Sequence, residues 1–326
     1  MGFVLGFTDR FLAALGMWPL ASLLLTLPIL AYLYHRDGRL RPWSAVGAYL
    51  VVLYFLGLGC FTLYPMPTGD SGLGITYGIA PQLDPLAFVG DVSRDGAAAV
   101  LQIAMNVVLF MPLGFVARRA LGMPRAATVM LGLLLSLLVE TAQLTGFFWL
   151  YPYAYRTFDV CDLMWNASGA LLGWQEASLL ERMLPPAPRD GSSVTREPGF
   201  LHRCVAFALD MLLVWTASLT AWSLAIAILP AAASQRFAEG SDAGWIVAAA
   251  FVAVEFVAPL LRAGQTPGGA FVRMTCETRE RGPVHRACFL AIRAATIYAA
   301  LTGFPPAVPA LCLFYLFARK MPYDFV

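Results

Sequence analysis

Apolar residues in this chain fall in unbroken runs of about 20. The runs lie at roughly 15–34, 44–64, 98–117, 124–147, 160–179, 203–230 and 243–261, and two shorter ones follow at about 287–303 and 306–318. About 20 residues of helix rise some 30 Å, the thickness of a bilayer's hydrocarbon core. The pattern predicts an all-α, polytopic integral membrane protein with about eight or nine transmembrane helices in two helical bundles. One break divides the runs. Residues 183–199 read MLPPAPRDGSSVTREPG, a Pro/Gly/Ser-rich stretch that cannot pack and reads as a linker. It separates five helices in 1–182 from three or four in 200–326.

Charge placement orients the runs. Arg36, Arg39 and Arg41 follow the first, and Arg118, Arg119 and Arg125 lie between the third and fourth. The segment 65–97 is acidic instead, with Asp70, Asp84, Asp91 and Asp95 against Arg94. Arginine-rich loops stay on the cytoplasmic side. The expectation is an extracytoplasmic N-terminus, with 65–97 and 148–158 outside and the linker inside. The N-terminus does not read as a cleavable signal peptide.

Composition narrows the class. The 326 residues are 59% hydrophobic and only 13% charged, with a mean hydropathy of +0.69. Too few charges are present to cover a water-soluble globule, which excludes a cytosolic enzyme. A net charge of +2 implies no polyanion-binding surface, so nucleic acid is not an expected partner; the bilayer is. The location expected is a bacterial cell membrane, crossed several times. The six cysteines form no C-x-x-C pair, and neither a zinc site nor a disulfide framework is expected. His35, His202 and His285 fall in polar segments and read as interfacial.

Candidate chemistry comes from polar residues inside apolar runs, where each is costly and faces protein or water. The fourth run carries Ser136, Glu140 and Gln143, within an arc of about 60° at 100° per residue. Around the fifth lie Asp159, Asp162, Asn166, Gly169 and Gly173, within about 80°. The third adds Gln102 and Asn106, then Pro112. With the orientation above, these stripes share the outer half of the membrane, and Arg156 stands at their mouth as counter-ion. The inference is an acidic, amide-rich outer cavity made by Asn106, Glu140, Gln143, Arg156, Asp159, Asp162 and Asn166. Interhelical hydrogen bonding is the competing reading for the amides, and close helix approach for the two glycines.

The stretches NVVLFMPLGF, SLLVETAQ and RTFDVCDLMWNASGALLG resemble the VanZ-like family. The residues that carry the resemblance are Asn106, Phe110, Pro112, Gly114, Ser136, Glu140, Gln143, Arg156, Asp159, Asp162, Asn166, Gly169 and Gly173. It spans about residues 10–180 and implies a membrane protein associated with low-level teicoplanin resistance.

After the linker, Arg203 and Asp210 lie seven residues apart on one helix, and Glu255 and Arg293 are at similar depth on later runs. Two acids and a base at one depth predict a nearly self-neutralising inner cluster of Arg203, Asp210, Glu255 and Arg293, with Asp210 paired to Arg293. This half resembles the RDD family through Arg203, Asp210, Gly264–Gly268 and Tyr323–Asp324, with Gly269 where the family usually has Lys.

Three functions compete. The first is a non-enzymatic envelope module whose outer cavity binds a lipid-linked cell-wall component and contributes to glycopeptide tolerance. The second is an enzyme on lipid-linked phosphates, with Glu140, Asp159 and Asp162 holding a divalent metal. The third is an ion or small-molecule transporter acting through the second half. No other cofactor is implied.

Overall fold

The computed structural model describes residues 2–64, 80–151, 154, 156–184, 194–230, 243–303 and 306–325. Most of the expected linker, and Asp70, lie outside these residues. The described chain is helical, with two isolated bridges and no named strand. It forms α1 (Gly2–Asp37), α2 (Pro42–Leu63), α3 (Ala87–Asp95), α4 (Ala97–Arg119), α5 (Arg125–Leu144) and α6 (Val160–Met183). These are followed by α7 (Phe200–Ile228), α8 (Ala243–Val252), α9 (Ala258–Leu261), α10 (Pro267–Phe271), α11 (Pro283–Thr302) and α12 (Ala307–Ala318). A π-turn at Ala253–Val257 runs α8 into α9.

Seven of the described helical segments are long and apolar enough to cross a membrane: Thr8–Asp37, Pro42–Leu63, Ala97–Arg119, Arg125–Leu144, Phe200–Ile228, Gly244–Leu261 and Pro283–Thr302. The chain is therefore an all-α polytopic membrane protein. The 24-residue α6 is outside that set and carries Asp162, Glu176, Glu181 and Arg182. The 12-residue α12 is apolar but short.

The chain divides into two compact units. The first comprises 1–23 and 47–188, the second 24–46 and 189–326, so α1 contributes its two ends to different units.

In the first unit α4 and α6 lie backbone to backbone. A Cβ at Gly114 would sit 1.8 Å from the Ala170 carbonyl oxygen, and one at Gly173 would sit 1.8 Å from that of Met111. At Gly169 the distance to the Val107 oxygen would be 2.2 Å. The glycine pair on α6 is thus what lets the helices approach. Leu58, Phe110, Leu113 and Ala170 form the buried apolar cluster around this seam. The segment before α4, read from sequence only as an acidic loop, contains the nine-residue helix α3, joined to α4 through Gly96 at φ +57. After α5 the chain makes a left-handed turn at Gly146, Phe147, Phe148 and Trp149, with φ of 57–66 throughout. L-residues disfavour that conformation by about 1–2 kcal/mol each. The Thr145 hydroxyl holds the turn by accepting the Phe148 N–H at 3.0 Å.

In the second unit the last turns of α1 pack Leu30, Ala31 and Tyr34 against Val205, Ala206 and Val272. His202 is buried there. It stacks on Tyr34 with ring centroids 3.9 Å apart and donates from Nε2 to the Val272 carbonyl at 2.7 Å. The α1 ring and the 272 carbonyl together satisfy this buried imidazole at the start of α7. His35 does remain exposed, bonded through Nδ1 to the Phe271 carbonyl at 2.7 Å.

Candidate functional site

The start of α6 organises the site in the first unit. Asp159 is the N-cap: its Oδ1 accepts the Cys161 N–H at 2.8 Å, which satisfies one of the unpaired donors at a helix start. Its own N–H donates to Glu140 Oε2 on α5 at 3.0 Å. Asp162 follows in the first turn of α6, and Asn106 Nδ2 on α4 donates to its Oδ1 at 2.6 Å. Three carboxylates thus meet at the N-terminus of one helix, where the macrodipole favours negative charge. Arg156, exposed at the approach to α6, acts through space on Glu140 and Asp162.

A residue the sequence did not flag completes this edge. Gln82 lies alongside 158–160, its N–H donating to the Phe158 carbonyl at 2.8 Å and its carbonyl accepting from Val160 at 3.0 Å. Its side-chain Nε2 donates to Asp159 Oδ1 at 3.1 Å.

Beside this edge is a cavity of about 490 Å³. Asp159 and Asp162 face it from α6, Gln102 from α4, and Asp91 and Asp95 from α3. Phe88 and Trp165 form an aromatic wall, ring edge to face at 5.3 Å. Arg94 is the cation of this rim, paired with Asp91 and 3.5 Å from Asp95. Of the residues expected to make the cavity, Asp159 and Asp162 line it directly. Asn106 and Glu140 stand one hydrogen bond behind them. Gln143 and Asn166 are deeper, bonded to the Thr62 carbonyl at 2.7 Å and to Ser136 Oγ at 2.8 Å.

These bonds bear on the metal reading. Among the described residues no group of three or more His, Cys, Asp or Glu is placed to hold a metal ion. Glu140 turns an oxygen to the Asp159 N–H and Asp159 turns one to the Cys161 N–H, which links the two acids into a helix-capping chain.

In the second unit the inner residues pair differently from the expectation. Arg293 on α11 binds Glu255 Oε2 at 2.6 Å, not Asp210. It also reaches the Glu255 main-chain carbonyl at 3.4 Å, an oxygen carried by the π-turn. Asp210 on α7 accepts the Gly268 N–H of α10 at 2.6 Å. Arg203 binds Asp324 at 2.9 Å, with its guanidinium 5.7 Å from the Tyr315 ring centre. Depth alone suggested the Asp210 pair; the extra residue of the π-turn rotates Glu255 toward α11 instead. Thr266 caps α10 by accepting the Gly269 N–H at 3.0 Å. A Cβ at Gly269 would come within 2.9 Å of that hydroxyl.

No curated protein matches the chain significantly, and no solved structure does either. Residues 51–181 match the model of the VanZ/LLP1 family, a stretch that contains α4, α5, all but the last two residues of α6 and every side chain of the first unit's cavity.

Proposed function

We propose that the first unit is a binding module of the bacterial cell membrane. Its acidic cavity takes the amine of a lipid-linked cell-wall component, and this binding contributes to tolerance of teicoplanin-type glycopeptides. The observation that carries the reading is the lining of one cavity by Asp91, Asp95, Asp159 and Asp162 beside an aromatic wall. Carboxylates offer acceptors only, and Arg94 and Arg156 are too few to balance them, so a ligand that donates N–H bonds and brings positive charge is favoured. Phe88 and Trp165 suit such a group as well, since aromatic faces attract cations. The arginine pattern of the loops supports an outward-facing cavity, and the VanZ/LLP1 match supports the family resemblance that implies the link to glycopeptides. A deletion strain should become more susceptible to teicoplanin, and the wild-type gene should restore tolerance. Asp162→Asn with Asp159→Asn, accumulating normally, should not. Full restoration by that double variant refutes the reading.

The second unit has a separate reading as a carrier, which the RDD-like residues Arg203 and Asp210 suggest. The observation favouring it is Asp210, a fully buried carboxylate within the apolar helix α7. Loss of solute flux in vesicles of Asp210→Asn, at unchanged protein level, is its test.

A further inference from the structure

The second unit contains a cavity of about 210 Å³ that shares Arg203 and Asp210 with the carrier reading but whose apolar walls that reading does not use. Its walls are hydrocarbon: Phe200 and Phe207 from α7, Ile297 and Leu301 from α11, Val308 and Leu311 from α12. Its polar end is formed by Arg203, Asp210 and Arg293. A mostly apolar pocket with a few fixed polar groups at one end is the usual design of a site for a small amphiphile.

The charge at that end sets the head group. Both arginines are engaged, Arg203 with Asp324 at 2.9 Å and Arg293 with Glu255 at 2.6 Å. Asp210 is 1% exposed and forms no ion pair among the described residues. What it has are the Thr266 hydroxyl and the Gly268 N–H, the latter available because Gly268 has no side chain: a Cβ there would lie 2.3 Å from the Ala206 oxygen and 2.9 Å from Asp210 Oδ1. A buried carboxylate facing a cavity, beside arginines already taken, calls for a cation supplied from outside. An anionic head would meet Asp210 as a like charge. A bare metal ion would leave the hydrocarbon walls without a partner.

We propose that this cavity binds a lipophilic ammonium, its amine on Asp210 and its hydrocarbon body between α7, α11 and α12. Two sources share that chemistry, an aminophospholipid of the bilayer and a soluble alkylamine.

Cys204 and Cys312 lie in the same wall, and Cys204 is exposed, so alkylation of Cys204 reports occupancy. The full chain in phosphatidylcholine bilayers is treated with N-ethylmaleimide, and modification of Cys204 is followed by mass spectrometry. Octylamine should slow it about tenfold or more, whereas octanoate and methylammonium should not. Protection without octylamine, in bilayers containing phosphatidylethanolamine, would identify the lipid as a source. Asp210→Asn keeps the acceptor for Gly268 and removes the charge, and should abolish protection by the amine. Leu311→Trp, which fills the apolar wall, should abolish it with Asp210 intact. Equal protection by octanoate and octylamine, or full protection in Asp210→Asn, overturns the proposal. If that variant does not accumulate, the comparison of amine with carboxylate in the wild-type chain still decides.

Discussion

The carboxylate of Glu140 accepts the main-chain N–H of Asp159 at 3.0 Å, so one acid holds another in place as the cap of a helix. Burial of a glutamate in an apolar helix is thereby offset by a donor from the next element, and the α6 start is tied to α5. The same bond leaves the Asp159 side chain on the cavity.

That arrangement separates capping from charge at Asp159. Asparagine caps a helix about as well as aspartate, while alanine costs about 0.5–2 kcal/mol. Asp159→Ala should lower thermal stability of the purified protein; Asp159→Asn should leave it nearly unchanged and still lose glycopeptide tolerance. Equal tolerance in wild type and Asp159→Asn would assign the residue to capping alone.

The α4–α6 seam gives a sharper contrast. Gly173→Ala places a methyl 1.8 Å from the Met111 oxygen, which forces the helices apart and should greatly reduce the folded protein recovered. Gly57 in α2 has open space around it, so Gly57→Ala should gain up to about 1 kcal/mol of helix propensity. Detergent melting curves of the two variants should move in opposite directions.

Arg293 and Glu255 make the matching case in the second unit. Removing one member of a buried pair costs about 3–5 kcal/mol because the other is left uncompensated, whereas an apolar pair of similar volume is often neutral. Arg293→Met and Glu255→Met should each lower abundance, and the double variant should recover most of it. A double variant as poor as either single one would mean that the charges serve something besides each other.

Orientation is testable without knowing the ligand. Arginine-rich loops predict that Ser193, in the linker, is cytoplasmic. A cysteine there should resist membrane-impermeant reagents in whole cells and react after lysis. Rapid labelling in intact cells would place the acidic cavity on the inner side.

Much of this was legible in the sequence, and the exceptions share a cause. Runs of hydropathy mark spans, and a 3.6-residue period marks which face of α5 and α6 is polar, so Glu140, Asp159 and Asp162 were visible as neighbours. Asp91 and Asp95 were visible only as loop charge, because a nine-residue polar helix carries no hydropathy signal of its own. Gln82 meets Asp159 through main-chain pairing 77 residues away, which no local pattern encodes. The Arg293 partner was misjudged because hydropathy gives depth and not azimuth, and a π-turn shifts azimuth within a single turn of helix.

The glycine seam also decides which wall of the cavity can yield. With the Val107 and Met111 oxygens pressed onto Gly169 and Gly173, α4 and α6 cannot slide or roll on each other without a collision of main chains. They act as one stiff plate carrying Gln102, Asp159, Asp162 and Trp165. The opposite wall is α3, nine residues long, with none of them buried, and attached at Gly96, where open space surrounds a left-handed φ. The cavity thus has one wall fixed by main-chain contact and one held only at its ends, by the Gln82 pairing with Phe158 and Val160 before α3 and by Gly96 after it.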